Sequence, residues 1–159
     1  MNLSLIGLLV EDAIFSALVA MGFGMLFNVP RRLLGWCMLG GALGHALRTL
    51  LLQIVPDTLA VSTLVACVAL GIYAQAASIR LKSPSLIFQV TGGITMVPGA
   101  FAYQSILGAL ALAGLPVSGI SVPLLHFAQN FFITGVLLGA IAFGIILPSL
   151  VFQRFRPVV

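Results

Sequence analysis

Five long apolar segments follow one another along the chain, separated by short polar connections. Each can cross a bilayer as an α-helix, because about 20 residues rising 1.5 Å each span the hydrocarbon core. The segments and connections take up nearly the whole sequence, which leaves no room for a soluble catalytic domain. The pattern predicts a single all-α membrane domain over 1–159, with spans at about Leu3–Phe27, Leu33–Ile54, Thr58–Ile79, Leu86–Ala113 and Val122–Leu147.

Composition and charge support a polytopic helix bundle with a defined orientation. Of 159 residues, 61% are hydrophobic and 6% charged, which is typical of an integral membrane protein. Basic residues gather on the cytoplasmic side of membrane proteins, and here they alternate along the chain, which predicts an N-out, C-in topology. They are Arg31, Arg32, Arg80, Lys82, Arg154 and Arg156. This topology explains the formal net charge of +4. The sequence has no basic stripe with interleaved aromatic residues, so it does not predict nucleic acid as a partner.

Ionisable side chains inside the spans are the main candidates for function. Glu11 and Asp12 lie within the first span, and His45 and Arg48 share a face of the second at i, i+3. Counting 1.5 Å per residue places them about 9 to 14 Å from the outer ends of their spans. Charged groups at membrane depth are costly and mark substrate or proton routes, so the pattern predicts transport. Glu11 or Asp12 would couple to protons, and Arg48 with His45 would bind an anionic substrate.

Each of these residues also has a structural interpretation. Arg48 could extend to the outer headgroups, or form a purely structural salt bridge with Glu11 or Asp12. His45 could serve only as an interhelical hydrogen-bond residue. On the fifth span Asn130, beside His126 and Gln129, falls in the same layer and is either a substrate ligand or a packing contact.

Glycine pairs and a proline interrupt the fourth span between Thr91 and Gly99. Proline disfavours helical geometry at the preceding residue and cannot donate to the previous turn, which predicts a broken or kinked helix at Pro98-Gly99. A half-helix beginning there would offer the amides of Gly99, Ala100 and Phe101 to a carboxylate, with Tyr103 lining the site. A simple proline kink is the alternative.

These motifs together carry a resemblance to a known family. The motifs are Phe27-Asn28-Val29-Pro30-Arg31-Arg32, Gly35-Trp36-Cys37, Gly44-His45, Arg48, Val97-Pro98-Gly99 and Tyr103. They resemble the threonine/serine exporter family, and within it the small membrane subunits of two-component succinate exporters. The resemblance implies a larger partner subunit, a bacterial inner membrane, and proton-driven export of succinate or related dicarboxylates, or of threonine or serine. Thr95 stands near a position where the family pattern has a proline.

Other function classes fit the sequence less well. No HExxH or GxSxG motif and no membrane-embedded lysine occurs, so an enzyme, a metal site or a cofactor is not predicted. A scaffold subunit without a substrate site fits the short connections equally well, but would not need several charges inside the membrane.

Overall fold

The computed structural model describes residues 3–114 and 121–154, and every regular element within them is helical. The elements are α1 (Leu3–Leu26), α2 (Arg31–Ile54), α3 (Leu59–Leu81), α4 (Ser85–Gly93), a 3₁₀ turn (Ile94–Met96), α5 (Gly99–Ala113) and α6 (Ser121–Arg154). Most of the predicted connection after Gly114, and the basic residue Arg156, lie outside the described residues.

The predicted number of spans is confirmed. Four helices, namely α1, α2, α3 and α6, are long and apolar enough to cross a membrane. The interrupted pair, α4 with its 3₁₀ turn and α5, makes a fifth if it counts as one span. The structure therefore confirms the predicted all-α fold with an interrupted fourth span. The N-out, C-in orientation stays a prediction.

The turn between α1 and α2 follows from two residues of the Asn28-Val29-Pro30 motif. Asn28 adopts a left-handed conformation with φ 55°, which asparagine tolerates better than most residues. Its amide donates to Met25 O, and the amide of Val29 donates to Gly24 O, the pair of hydrogen bonds that defines a Schellman helix ending. Pro30, with φ −53° and ψ 135°, then directs the chain into α2.

Helix α6 continues through Pro148 to Arg154, beyond the predicted end of the span at Leu147. Its 34 residues measure about 51 Å, which exceeds the hydrocarbon core of a bilayer. Proline is tolerated inside a membrane helix where a neighbouring helix packs against it. Here Pro148 is buried against Gly71 of α3, where a β-carbon would lie only 2.8 Å from Pro148 Cγ.

The chain divides into two compact units, residues 1–96 with 140–159, and Val97–Gly139. In the first unit α2 packs along α1, α3 and α4, and α3 also packs on α4. Two buried apolar clusters form its core, namely Leu33, Cys37, Ala74, Ala77 and Phe88 in one, and Ala66, Cys67, Leu70, Met96 and Ile141 in the other. The single domain predicted for the whole chain stays a prediction.

The second unit contains α5 and the first part of α6. These helices approach closely at Gly108, where a β-carbon would lie 3.0 Å from Phe127 Cβ and 3.2 Å from Phe127 Cα. The rings of Phe127 and Phe131 lie 5.7 Å apart, one turn from each other on α6. A small residue of α5 therefore faces an aromatic residue of α6, and small residues are common where membrane helices approach closely.

Candidate functional site

Two glycines of α2 allow two other elements to pack closely against this helix. A β-carbon at Gly41 would lie 2.9 Å from Ser16 O and 2.7 Å from Ala20 Cβ, both on α1. A β-carbon at Gly44 would lie 2.5 Å from Cε of Met96, at the end of the 3₁₀ turn. The absence of side chains at these positions lets α1 and the 3₁₀ turn pack closely against α2.

One helical turn after each of these glycines, α2 carries a polar side chain that faces the same neighbouring element as the glycine. His45 follows Gly41 at i+4, and its Nδ1 lies 2.8 Å from Asp12 Oδ2 on α1. Thr49, a further turn along, donates its hydroxyl to the same Asp12 oxygen. Asp12, His45 and Thr49 form the Asp12 cluster, in which the Asp12 side chain is 27% exposed and that of His45 is 23% exposed.

The chemistry of the Asp12 cluster fixes the proton on the imidazole. An ionised carboxylate only accepts hydrogen bonds, so Nδ1 of His45 carries the hydrogen that it shares with Asp12. The cluster therefore sets an imidazole and a hydroxyl, both on α2, as donors to one carboxylate oxygen of α1.

Arg48 faces the 3₁₀ turn rather than an acid. It follows Gly44 at i+4, and its Nη1 donates to Met96 O at 3.3 Å. Among the described residues Arg48 forms no ion pair within 4.0 Å, so the predicted salt bridge with Glu11 or Asp12 is not found there. Arg48 is partly buried. Its guanidinium has five N–H groups and only one is used in this bond, which leaves donors for a carboxylate.

The two neighbouring acids of α1 have different surroundings. Asp12 lies toward α2, whereas Glu11 is exposed on the surface of the chain. Successive helical positions are separated by 100°, so adjacent residues cannot both face the same neighbouring helix. The sequence could not decide which of these acids faces α2, and the contacts show that it is Asp12.

The interruption after Met96 has a defined backbone geometry. Pro98 adopts φ −79° and ψ 63°, and the amide of Gly99 donates to Val97 O at 2.8 Å, which together describe an inverse γ-turn. Because that bond occupies the Gly99 amide, the first-turn amides of Ala100 and Phe101 remain for a ligand at the start of α5. Ala102 already donates to Pro98 O.

The remaining predicted site residues lie in the second unit. Tyr103 on α5 is 62% exposed. On α6, Asn130 donates from Nδ2 to His126 O at 2.9 Å, within its own helix. Within this unit, no side-chain hydrogen bond joins Tyr103 to Asn130 among the described residues.

The sequence prediction missed two sets of polar residues. Thr49 completes the Asp12 cluster, and its position at i+4 from His45 was a signal that could have indicated it. The other set, the glutamine–serine cluster, joins α3, α4 and α6 in the first unit. Its members are Gln75, Ser85, Gln89 and Ser149. Because they are far apart in sequence and occur singly in apolar segments, only the packing of the helices brings them together.

Comparisons with known proteins agree with the resemblance found in the motifs. A family model described as "Threonine/Serine exporter, ThrE" matches residues 12–151. An uncharacterized protein of Haemophilus influenzae is 36% identical over 152 residues, which are 95% of this chain and 50% of that protein. The chain thus spans about half the length of that curated relative. No solved structure matches the chain.

Proposed function

This chain belongs to the threonine/serine exporter family, and from that premise we propose that it forms part of a proton-coupled exporter of small carboxylates. The family and the apolar helices make it a multi-pass membrane protein. The observation that carries the proposal is the Asp12 cluster, in which a carboxylate and an imidazole share a hydrogen within membrane-length helices. Packing alone does not require a carboxylate–imidazole pair inside the membrane, so this pair supports a functional role.

In the proposed mechanism, proton binding and cargo binding are coupled through α2. Protonation of His45 at Nε2 gives an imidazolium beside Asp12, and Arg48, three residues along the same helix, receives the cargo carboxylate. Each event changes the charge near the other, so the affinity for one ligand depends on the other. When Arg48 binds a carboxylate, its hydrogen bond to Met96 O would break, and the end of the 3₁₀ turn would lose this contact with α2.

Succinate or a related dicarboxylate is the cargo that we propose first, in keeping with the motifs that resemble the succinate exporters. The family description supports threonine or serine as the second candidate. All of these molecules carry a carboxylate that Arg48 could bind with two parallel hydrogen bonds. The exposed amides of α5 offer a further carboxylate-binding group.

We propose that a larger membrane subunit completes the exporter in a bacterial inner membrane. The motifs that resemble the small subunits of two-component exporters support this proposal, and the chain spans about half the length of its Haemophilus influenzae relative. The many exposed apolar side chains of α1, such as Phe15 and Ile14, could face either that subunit or lipid.

Flux into proteoliposomes tests the proposal. Labelled succinate, threonine or serine would be added outside vesicles that contain this chain and the subunit encoded beside it, with vesicles of each subunit alone as the control. We expect saturable flux that depends on a pH gradient and needs both subunits. Flux that is absent for every cargo, although the complex is intact, would contradict the proposal.

A further inference from the structure

Glu11 is an exposed acid at membrane depth. It lies about 12 Å from the start of α1 at Leu3 and about 22 Å from its end at Leu26. Among the described residues its carboxylate forms no ion pair within 4.0 Å. Glutamate is shorter than lysine or arginine, so its side chain cannot extend over that distance to the headgroups. Because a carboxylate is costly against lipid, Glu11 needs a partner that this chain does not supply.

Glu11 belongs to a stripe of exposed residues along α1. Successive residues of an α-helix are turned by 100°, so residues three, four or seven positions apart share one side. The stripe, called the Glu11 face, covers about 80° of the helix surface. It consists of Gly7, Glu11, Ile14, Leu18, Gly22 and Met25. Ser16 and Ala20, which pack against Gly41 of α2, lie about 160° from the middle of this face. The Glu11 face therefore points away from α2.

The two glycines leave open space near the ends of the Glu11 face. In the part of the chain that the structure describes, nothing lies within 4 Å of the position that a β-carbon would take at Gly7 or at Gly22. Small residues on a membrane helix allow another helix to approach closely. Between them, Ile14 is 55% and Leu18 48% exposed, and both offer apolar contact area. The face thus combines the residues of a helix contact with one acid.

We propose that a membrane helix of the larger subunit packs on the Glu11 face and presents a basic side chain to Glu11. The inference rests on the proposed function for the existence of that subunit. A cation at the same depth neutralises the carboxylate and donates hydrogen bonds to its oxygens. This pairing removes the cost of an isolated charge inside the membrane.

A second copy of this chain fits the face less well. Symmetric copies in a membrane meet at equal depths, so Glu11 would lie opposite Glu11 of the other copy, and the like charges would repel each other. The basic side chains inside α2 are held within their own chain. His45 contacts Asp12, and Arg48 donates to Met96 O. Charge therefore favours a different chain as the partner.

Competition for the larger subunit tests the proposal. The wild-type chain and a variant with a different tag are expressed together with a limiting amount of the subunit encoded beside this chain, and the complex is purified through that subunit. The share of the variant in the complex is divided by its share in the membrane, so differences in expression cancel. We expect this ratio to fall about tenfold or more for Glu11→Leu, which leaves the partner's cation unpaired.

Two further variants test the chemistry of the contact. Glu11→Gln keeps an oxygen that accepts a hydrogen bond, so it should lose less than Glu11→Leu. Gly22→Leu fills the space that the partner helix needs and should lower the ratio about fivefold or more. Gly35→Leu is the matched control, because Gly35 is also exposed, with nothing within 4 Å of its β-carbon position, but lies on α2. Leucine favours helix more than glycine, so neither substitution weakens its own helix.

The outcomes separate this inference from the proposed function. If Glu11→Leu and Gly22→Leu compete as well as the wild type, the Glu11 face lies against lipid and the inference is wrong, although the exporter can still need both subunits. Self-association of the wild-type chain that Glu11→Leu abolishes would make the face a contact between copies and would also contradict the inference. Loss of competition in these variants, together with absent flux for the wild-type complex, would contradict the exporter function but not the contact.

Discussion

His45 Nδ1 on α2 lies 2.8 Å from Asp12 Oδ2 on α1, so Asp12 is the acid of the Glu11-Asp12 pair that contacts α2. The two helices run side by side and approach closely one turn earlier, at Gly41. The close approach fixes the distance between the two side chains. Glu11, one residue away, is directed outward and is exposed.

We therefore expect Asp12→Asn and Glu11→Gln to differ in proton coupling. Asparagine keeps the shape of Asp12 but removes its charge, and hydrogen bonds to charged groups contribute about 1.5–3 kcal/mol, a factor of about ten or more. Asp12→Asn should lower pH-gradient-dependent flux by at least about tenfold, with Glu11→Gln close to wild type. The measurement is labelled succinate flux at several pH gradients. Coupling that survives in both variants would refute the role of Asp12.

Arg48→Ala separates cargo binding from a scaffold role. Loss of a charge-assisted pair with a carboxylate should weaken transport by about tenfold or more at limiting cargo, measured as flux per assembled complex. Arg48→Lys keeps the charge but not the two parallel donors, so it should recover only part of the loss. If Arg48→Ala reduces the amount of complex while flux per complex stays unchanged, this chain is a scaffold.

Gly41→Ala should separate α1 from α2. Its new methyl would lie 2.9 Å from Ser16 O, a backbone atom that cannot move away alone, and overpacking of this kind costs about 1–3 kcal/mol. Unfolding in mixed detergent micelles measures the loss. Gly35→Ala is the control, because nothing lies within 4 Å of its β-carbon position. Equal stability of the two variants would show that the contact at Gly41 is not tight.

Cysteine labelling tests the predicted orientation. Pro56 and Pro84 are exposed residues in the connections that follow α2 and α3. Pro56→Cys should react with a membrane-impermeant maleimide added outside intact cells, and Pro84→Cys only after the membrane is opened. The native Cys37 and Cys67 are fully buried and provide an unlabelled background. The opposite labelling pattern would invert the topology.

The sequence predicted the elements because each depends on local properties of the chain. Apolar length fixes the spans, Asn28 and Pro30 fix the first turn, and Pro98 fixes the interruption. Proline did not end α6, and Pro148 lies inside the helix with its ring packed against Gly71 of α3. The rule about proline is local, whereas its outcome in a bundle depends on the neighbouring helix.

The sequence by itself determined an all-α membrane protein of four or five spans, with polar groups inside α1 and α2. Only the tertiary structure decided that Asp12 rather than Glu11 pairs with His45, that Arg48 binds the carbonyl of Met96, and that two glutamines meet at Ser149. Apolar length depends on residues next to each other in the chain. Side-chain partners depend on how each helix is rotated about its axis, which the packing at glycines such as Gly41 and Gly44 sets.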